Sequence, residues 1–218
     1  MDKKPLKKIV EELQAGKPIG YVMMYRVLSA DVVLSYLWPD YKVNDLIPAE
    51  LSPRIVYLMQ TGRQFVGGVE LMEANLDAFM LPAHRGKGIF STAMRECIVP
   101  HILQQKPLQR VQINRSDYAE RRFEILKKTF IAIGFTVLKD DSELRMVIDA
   151  SKRPAGRFIA GENKALSGQR KEIIMKEFLW FAYRLILIRS ELELQEGVSY
   201  QSEDIYDMIK KMQQYGRH

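Results

Sequence analysis

The sequence predicts a mixed α/β chain of the α+β kind: a mixed, mostly antiparallel sheet flanked by helices, with further helices at its C-terminal end. Three observations lead there. RIVYLMQ, RQFVGGVELM and LDAFML are apolar, β-favouring runs between residues 54 and 81, interrupted only by Thr61-Gly62 and by residues 73–75. That is the spacing of three consecutive antiparallel strands. From there to residue 149 the order is helix, strand, helix, strand, strand, which purely alternating βαβ winding does not fit and a mixed sheet does. Finally, EIIMKEFLWFAYRLILIRSELELQE is apolar almost all the way round a helix, the pattern of a buried helix rather than a surface one.

The first 20 residues read as a short amphipathic helix carrying Leu6, Ile9, Val10 and Leu13, closed by Gly16 and Pro18. IGYVMMYRVL then suits a strand. SADVVLSYLW opens on a good N-cap, Ser29, and reads as helical. Pro39, Pro48 and Pro53 mark a loop-rich connection into the three-strand run. After it come a helix over residues 89–104 and a strand at LQRVQIN. The next helix starts at a capping box, Asp117 with Glu120, buries Phe123, Leu126, Phe130 and Ile133, and stops at Gly134. TVLKDDSELRMVID is strand, turn and strand. Residues 150–171 are small and basic without periodicity. Beyond them the apolar helix is followed by an amphipathic one, SEDIYDMIKKMQQY, expected to lie beside it. The expected division is a domain over 1–150, a linker or mobile loop over 151–170, and a helical extension over 171–218.

Composition narrows the function classes. Of 218 residues 47% are hydrophobic and 28% charged, which is a globular balance. One cysteine, Cys97, excludes an intrachain disulfide framework, and its place in the helix after residue 89 suits a buried structural thiol. With His84, His101 and His218 it offers no zinc-ligand spacing, so no metal site is expected. The lysines near the N-terminus are not followed by an apolar signal core. The most hydrophobic stretch, 173–188, carries Lys176, Glu177 and Arg184 and is shorter than the roughly 20 residues of a membrane span. A cytoplasmic protein with no membrane segment is expected. The net charge of +6 sits largely near the N-terminus and within 152–171, without interleaved aromatics, so nucleic acid is not the expected partner.

The chemistry concentrates in LDAFMLPAHRGKGIF, residues 76–90. An apolar run breaks into a basic, glycine-punctuated loop, and a helix follows at once. Free backbone N–H groups, the positive end of the helix dipole and the charges of Arg85 and Lys87 converge there. Gly86 and Gly88 let the backbone approach an anion closely. Such a corner attracts a pyrophosphate.

This element order and loop resemble the GNAT superfamily of acyl-CoA N-acyltransferases. Residues 85–90, RGKGIF, match the family's Gln/Arg-x-x-Gly-x-Gly/Ala loop except at Phe90. Met80-Leu81-Pro82 matches the preceding strand end, and FIAIGF at 130–135 is similar to the family's Y-E-K-x-G-F. The resemblance spans residues 54–149 and implies a GNAT-type sheet and an acetyl-CoA-dependent N-acetyltransferase, in which a primary amine attacks the thioester directly. It implies that the N–H groups of Arg85, Gly86, Lys87, Gly88, Ile89 and Phe90 hold the pyrophosphate. A backbone N–H of Phe79 or Met80 would polarise the carbonyl, and Asn114 would contact the pantetheine arm. For the base it points to Glu70, Glu73 or Asp77, with Glu73 favoured by family location. Phe130 stands where many members carry a proton-donating tyrosine, so that role falls to another residue, with Tyr118 as the candidate, to water, or to no group; His84 could pair with phosphate. Each of these side chains equally suits a surface or capping role. The helix ending at Gly134 is also about two turns longer than the family's usual one. The implied acceptor is a small-molecule or protein amine, and the apolar tail points to a homodimer. The alternative is a weak or inactive CoA-binding or protein-interaction module.

Overall fold

The computed structural model describes residues 5–40, 52–72, 75–152, 154, 156, 168–196 and 200–215, which form two units, Met1–Gly161 and Glu162–His218. Its class is mixed α/β with antiparallel sheets. In the first unit, helix α1 (Leu6–Gln14) buries Leu6, Ile9 and Val10, the stripe its 3.6-residue spacing creates. A five-stranded antiparallel sheet follows in sequence order: β1 (Tyr21–Ser29), β2 (Val32–Pro39), β3 (Arg54–Thr61), β4 (Gln64–Leu71) and β5 (Leu76–Met80).

The helix expected from Ser29 is instead β2. The Ser29 hydroxyl accepts the Asp31 N–H at 3.3 Å, so the bond that would cap a helix closes the β1–β2 turn. Val32, Val33, Leu34, Ser35 and Leu37 are all buried, because β2 lies between β1 and β3 with both faces covered. A strand apolar on both faces loses the alternation that would identify it. The β3–β4 turn matches the expected hairpin, with Gly62 at φ +63°.

Past β5 the chain makes α2 (Ile89–Ala93), a π-helical turn (Met94–Ile98) and α3 (Val99–Gln105). Pro100 explains the change of pitch: it has no N–H for an i−4 carbonyl, and its ring would strike that carbonyl in a regular α-helix. Then come β6 (Leu108–Asn114), α4 (Glu120–Ile133), β7 (Thr136–Asp140) and β8 (Glu143–Asp149), forming a second antiparallel sheet in the order β6-β8-β7. Asp117 does not cap α4. It ends a 3-10 turn (Arg115–Asp117), and α4 starts after Ala119 without a side-chain cap. Arg115 holds this corner, bonding Glu120 at 3.1 Å and Asp140 at 3.2 Å. Gly134, at φ +118°, ends α4 as expected and donates to the Phe130 and Ile131 carbonyls.

Two cores sit on opposite faces of the first sheet. α1 closes the smaller one over Val56, Leu58, Leu37 and Leu81. The larger joins Tyr57, Met59 and Val69 of the first sheet to Val111, Leu144 and Met146 of the second, through Met94, Ile98, Phe123 and Phe130. The two sheets therefore share a core without sharing a ladder.

In the second unit α5 (Gly168–Glu196) packs against α6 (Tyr200–Tyr215), burying Ala182 and Ile209. Within this unit α6 covers one side of α5 and leaves Phe178, Leu179, Trp180, Phe181 and Tyr183 exposed. One neighbouring helix can cover only one side of another. No described helix is long and apolar enough to cross a membrane.

Candidate functional site

The site builds from the outer edge of β5. In an antiparallel ladder, alternate residues turn their N–H toward the partner strand and the others turn it away. The Leu81 N–H donates to the Val66 carbonyl at 2.9 Å and the Met72 N–H to the Asn75 carbonyl at 3.0 Å. With Gly68 opposite Phe79 and Glu70 opposite Asp77, the N–H groups of Asp77 and Phe79 face β4. Those of Leu76, Ala78 and Met80 face the gap toward β6. Leu76 N–H is taken by Asn75 Oδ1 at 2.8 Å, and the Asp77 carboxylate lies beside the Ala78 N–H. Met80 N–H has no acceptor among the described residues. Of the two residues expected to supply a polarising N–H, the ladder thus uses Phe79 and leaves Met80.

Asn75 bridges the gap at one end. Its Oδ1 also accepts the Gln112 N–H at 2.9 Å, and its Nδ2 donates to the Gln112 carbonyl at 3.2 Å. One side-chain amide thereby replaces a ladder between β5 and β6 at a single point, and no ladder continues it. Sequence reasoning passed over Asn75 as a turn residue, and no local signal marks it otherwise.

At the carboxyl end of β5 the basic loop turns back over the strand. A 3-10 turn (Pro82–His84) leads to Arg85, whose Nε donates to the Met80 carbonyl at 2.9 Å and whose guanidinium lies 5.9 Å from the centre of the Phe79 ring. Gly86 and Gly88 have φ of +70° and +76°, values only glycine adopts without strain. No atom lies within 4 Å of where a Cβ would stand on either, so this backbone is open to approach. Arg85 and Lys87 are exposed, and Gly88 opens α2. His84 sits half-buried in the 3-10 turn.

Ile89 and Phe90 turn inward onto the larger core. The Phe90 ring meets Phe130 edge to face at 6.1 Å, and Phe130 meets Phe135 likewise at 5.3 Å. The loop's unusual last residue and the phenylalanine at 130 are therefore one cluster, and neither ring carries a transferable proton. Tyr118 packs at the rim of the same core with Arg122 stacked 5.4 Å above its ring. Asn114 ends β6 and donates to Asp117 at 3.3 Å. Glu73 lies outside the described residues.

The remaining acids differ sharply. Glu70 is held by Arg54 through both oxygens, with Arg54 Nε at 2.7 Å from Oε1 and Nη2 on Oε2; both side chains are 9% exposed. Asp77 stands directly opposite Glu70 on the same face of the sheet. Its pKa is raised above the usual aspartate value, first by desolvation, with the Glu70 carboxylate adding to the shift and the Ala78 N–H and Arg54 opposing it.

Lys87 and Gly88 also border a cleft of about 520 Å³, shared with Ser29 and Asp31 of the β1–β2 turn and Gln60 of β3. Cys97 also lines it, buried as expected, and burial pushes its thiol pKa up to about 11. His101, in α3, is a core residue whose Nδ1 lies 3.0 Å from the Tyr57 hydroxyl. The described residues hold no cluster fit for a metal ion. Neither a protein-family model nor a curated protein matches this chain.

Proposed function

We propose that this chain is an acetyl-CoA-dependent N-acetyltransferase of the GNAT type, acting on a primary amine. The observation that carries this reading is the convergence on one strand end. The unengaged Met80 N–H on the gap-facing edge of β5, the open positive-φ glycines and the exposed Arg85 and Lys87 lie within nine residues of each other. The residues fit the ligand: a Cβ would occupy the space that phosphate oxygens need at Gly86 and Gly88, and none is present. The sheet order and the resemblance of the loop support it further.

Bound acetyl-CoA supplies an acyl thioester open to attack by a neutral amine. In this reading the N–H groups from Gly86 to Phe90 hold the pyrophosphate. The expected Arg85 N–H is not among them, because it donates to the Pro82 carbonyl at 3.2 Å. Arg85 and Lys87 offset the charge through their side chains. Met80 donates its N–H to the carbonyl oxygen that gains negative charge during attack, in the manner of an oxyanion hole. Asp77 takes the amine's proton: its carboxylate lies beside the Ala78 N–H on the same edge, about 7 Å along the strand from Met80 N–H, a distance that a chain of two waters spans. Glu70 is not used, since Arg54 occupies both its oxygens. A cytoplasmic setting and a homodimer through the helical unit complete the proposal.

A second reading, a weak or inactive CoA-binding module, draws on the Phe90–Phe130 contact, which leaves the departing thiolate without a proton donor from that helix. Thiol release from acetyl-CoA against a panel of amines separates the two. Amine-dependent release supports the enzyme, and binding of CoA with no release for any amine supports the module.

A further inference from the structure

A row of polar groups crosses the α1-side face of the first sheet. Arg54, on β3, donates Nη1 to the Tyr21 hydroxyl of β1 at 3.2 Å and lies 5.6 Å from that ring's centre. It grips Glu70 on β4 through both oxygens, and Asp77 on β5 stands opposite Glu70 at the end of the row. An ion pair this shielded is a poor way to gain stability, since desolvation consumes most of the attraction. Its position beside the Asp77 carboxylate suggests a different use. Two carboxylates directly opposite one another cannot both ionise freely, and the second proton is then held tightly. A cation locked onto one of them relieves the other.

We propose that Arg54 is the positioning residue of the amine-acetylating site: by clamping Glu70 it leaves Asp77 as the carboxylate that accepts the amine's proton. This rests on the acetyltransferase reading above. The clamp works by direction as well as charge. Both Glu70 oxygens point to Arg54, so neither is left to share a proton with Asp77, and the Tyr21 hydroxyl helps fix the guanidinium. The charges that act on Asp77 most are Glu70 and Arg54. Other charged groups on elements packed against β5 are Lys7, Lys8, Glu11 and Glu12 of α1 and Arg110 of β6, and Lys7 and Glu11 pair with one another at 3.9 Å.

The test is the titration of the Asp77 carboxyl in the purified full-length protein, followed by carbon-13 NMR and identified by its absence in Asp77→Asn. Arg54→Met should raise its midpoint by about one pH unit or more, and Glu70→Gln should lower it. The double variant Arg54→Met/Glu70→Gln, which removes both charges, should return it close to wild type and keeps the test alive if Arg54→Met alone folds poorly. Where turnover is measurable, the acidic limb of the kcat/KM profile should move with the NMR midpoint. An Asp77 midpoint unmoved in Glu70→Gln, or the same in the double variant as in Glu70→Gln, overturns the proposal and leaves the pair a structural tie. Midpoints that move as stated, in a protein that acetylates no amine, leave the coupling standing and remove the acetyltransferase reading.

Discussion

Replacing Gly67 with alanine should loosen the site from beneath. Gly67 sits on β4 opposite Met80, and an added Cβ would come within 2.8 Å of the Phe79 carbonyl oxygen, 2.9 Å of Met59 Cε and 2.9 Å of Met80 Sδ. The two methionine tips can swing aside. The carbonyl cannot, because it belongs to the β4–β5 ladder, so β5 must shift at the residue whose N–H the account assigns to the reaction. Overpacking of this kind costs about 1–3 kcal/mol, and alanine recovers roughly 0.5–1 kcal/mol of backbone entropy relative to glycine. The net expectation is a loss of about 1–2 kcal/mol. The neighbouring Gly68→Ala is the control. There the Cβ meets only side-chain ends, Leu6 Cδ1 at 3.2 Å and Val10 Cγ2 at 3.4 Å, which α1 can adjust. Its expected effect is within about 0.5 kcal/mol of zero. Urea unfolding of both variants, with acetyl-CoA affinity measured alongside, checks the argument. Gly67→Ala as stable as Gly68→Ala, with affinity unchanged, would refute the claim that this backbone contact fixes Met80.

Three further outcomes are expected. Gly88→Glu should abolish CoA binding while leaving the circular dichroism of the fold intact, because it fills the open space at a φ of +76° and adds a negative charge; retained affinity contradicts the phosphate-cradle reading. His101 has a pKa below its ordinary 6.5, first through desolvation and then through Arg26. The unfolded chain therefore binds this proton first, and stability should fall as pH drops below about 6.5. His101→Asn should flatten that dependence in urea midpoints measured between pH 7.5 and 5.5, and an equally steep decline in the variant would locate the effect elsewhere. Deleting residues 171–218 should turn the proposed dimer into a monomer, since it removes the exposed Trp180, Phe181 and Tyr183; an unchanged oligomeric state on size-exclusion chromatography rules that out.

What the sequence made legible follows from how local each signal is. β3, β4 and β5, the glycine loop and the Gly134 helix stop depend on neighbouring residues, so β-favouring apolar runs bounded by turn residues, positive-φ glycines and C-capping identify them directly. β2 failed because its signal is tertiary: covered on both faces, it reads like any buried apolar run, and Ser29 serves a turn as well as a cap. Asp117 failed because Arg115 organises the start of α4 through partners as distant as Asp140. At the site the division is similar. The loop was readable, but the choice of Met80 over Phe79 rests on ladder parity with β4. The choice of Asp77 over Glu70 rests on Arg54, sixteen residues from Glu70 and two strands from Asp77. Asn75, which bridges the gap, joins positions 37 residues apart and leaves no local trace.

The most direct measurement is calorimetric titration of the purified protein with acetyl-CoA, with free CoA and ATP as comparators. Acetyl-CoA and CoA should bind saturably and more tightly than ATP, and that binding should be lost in Gly88→Glu. Absence of binding by acetyl-CoA, or equal binding by ATP, would contradict the proposed function.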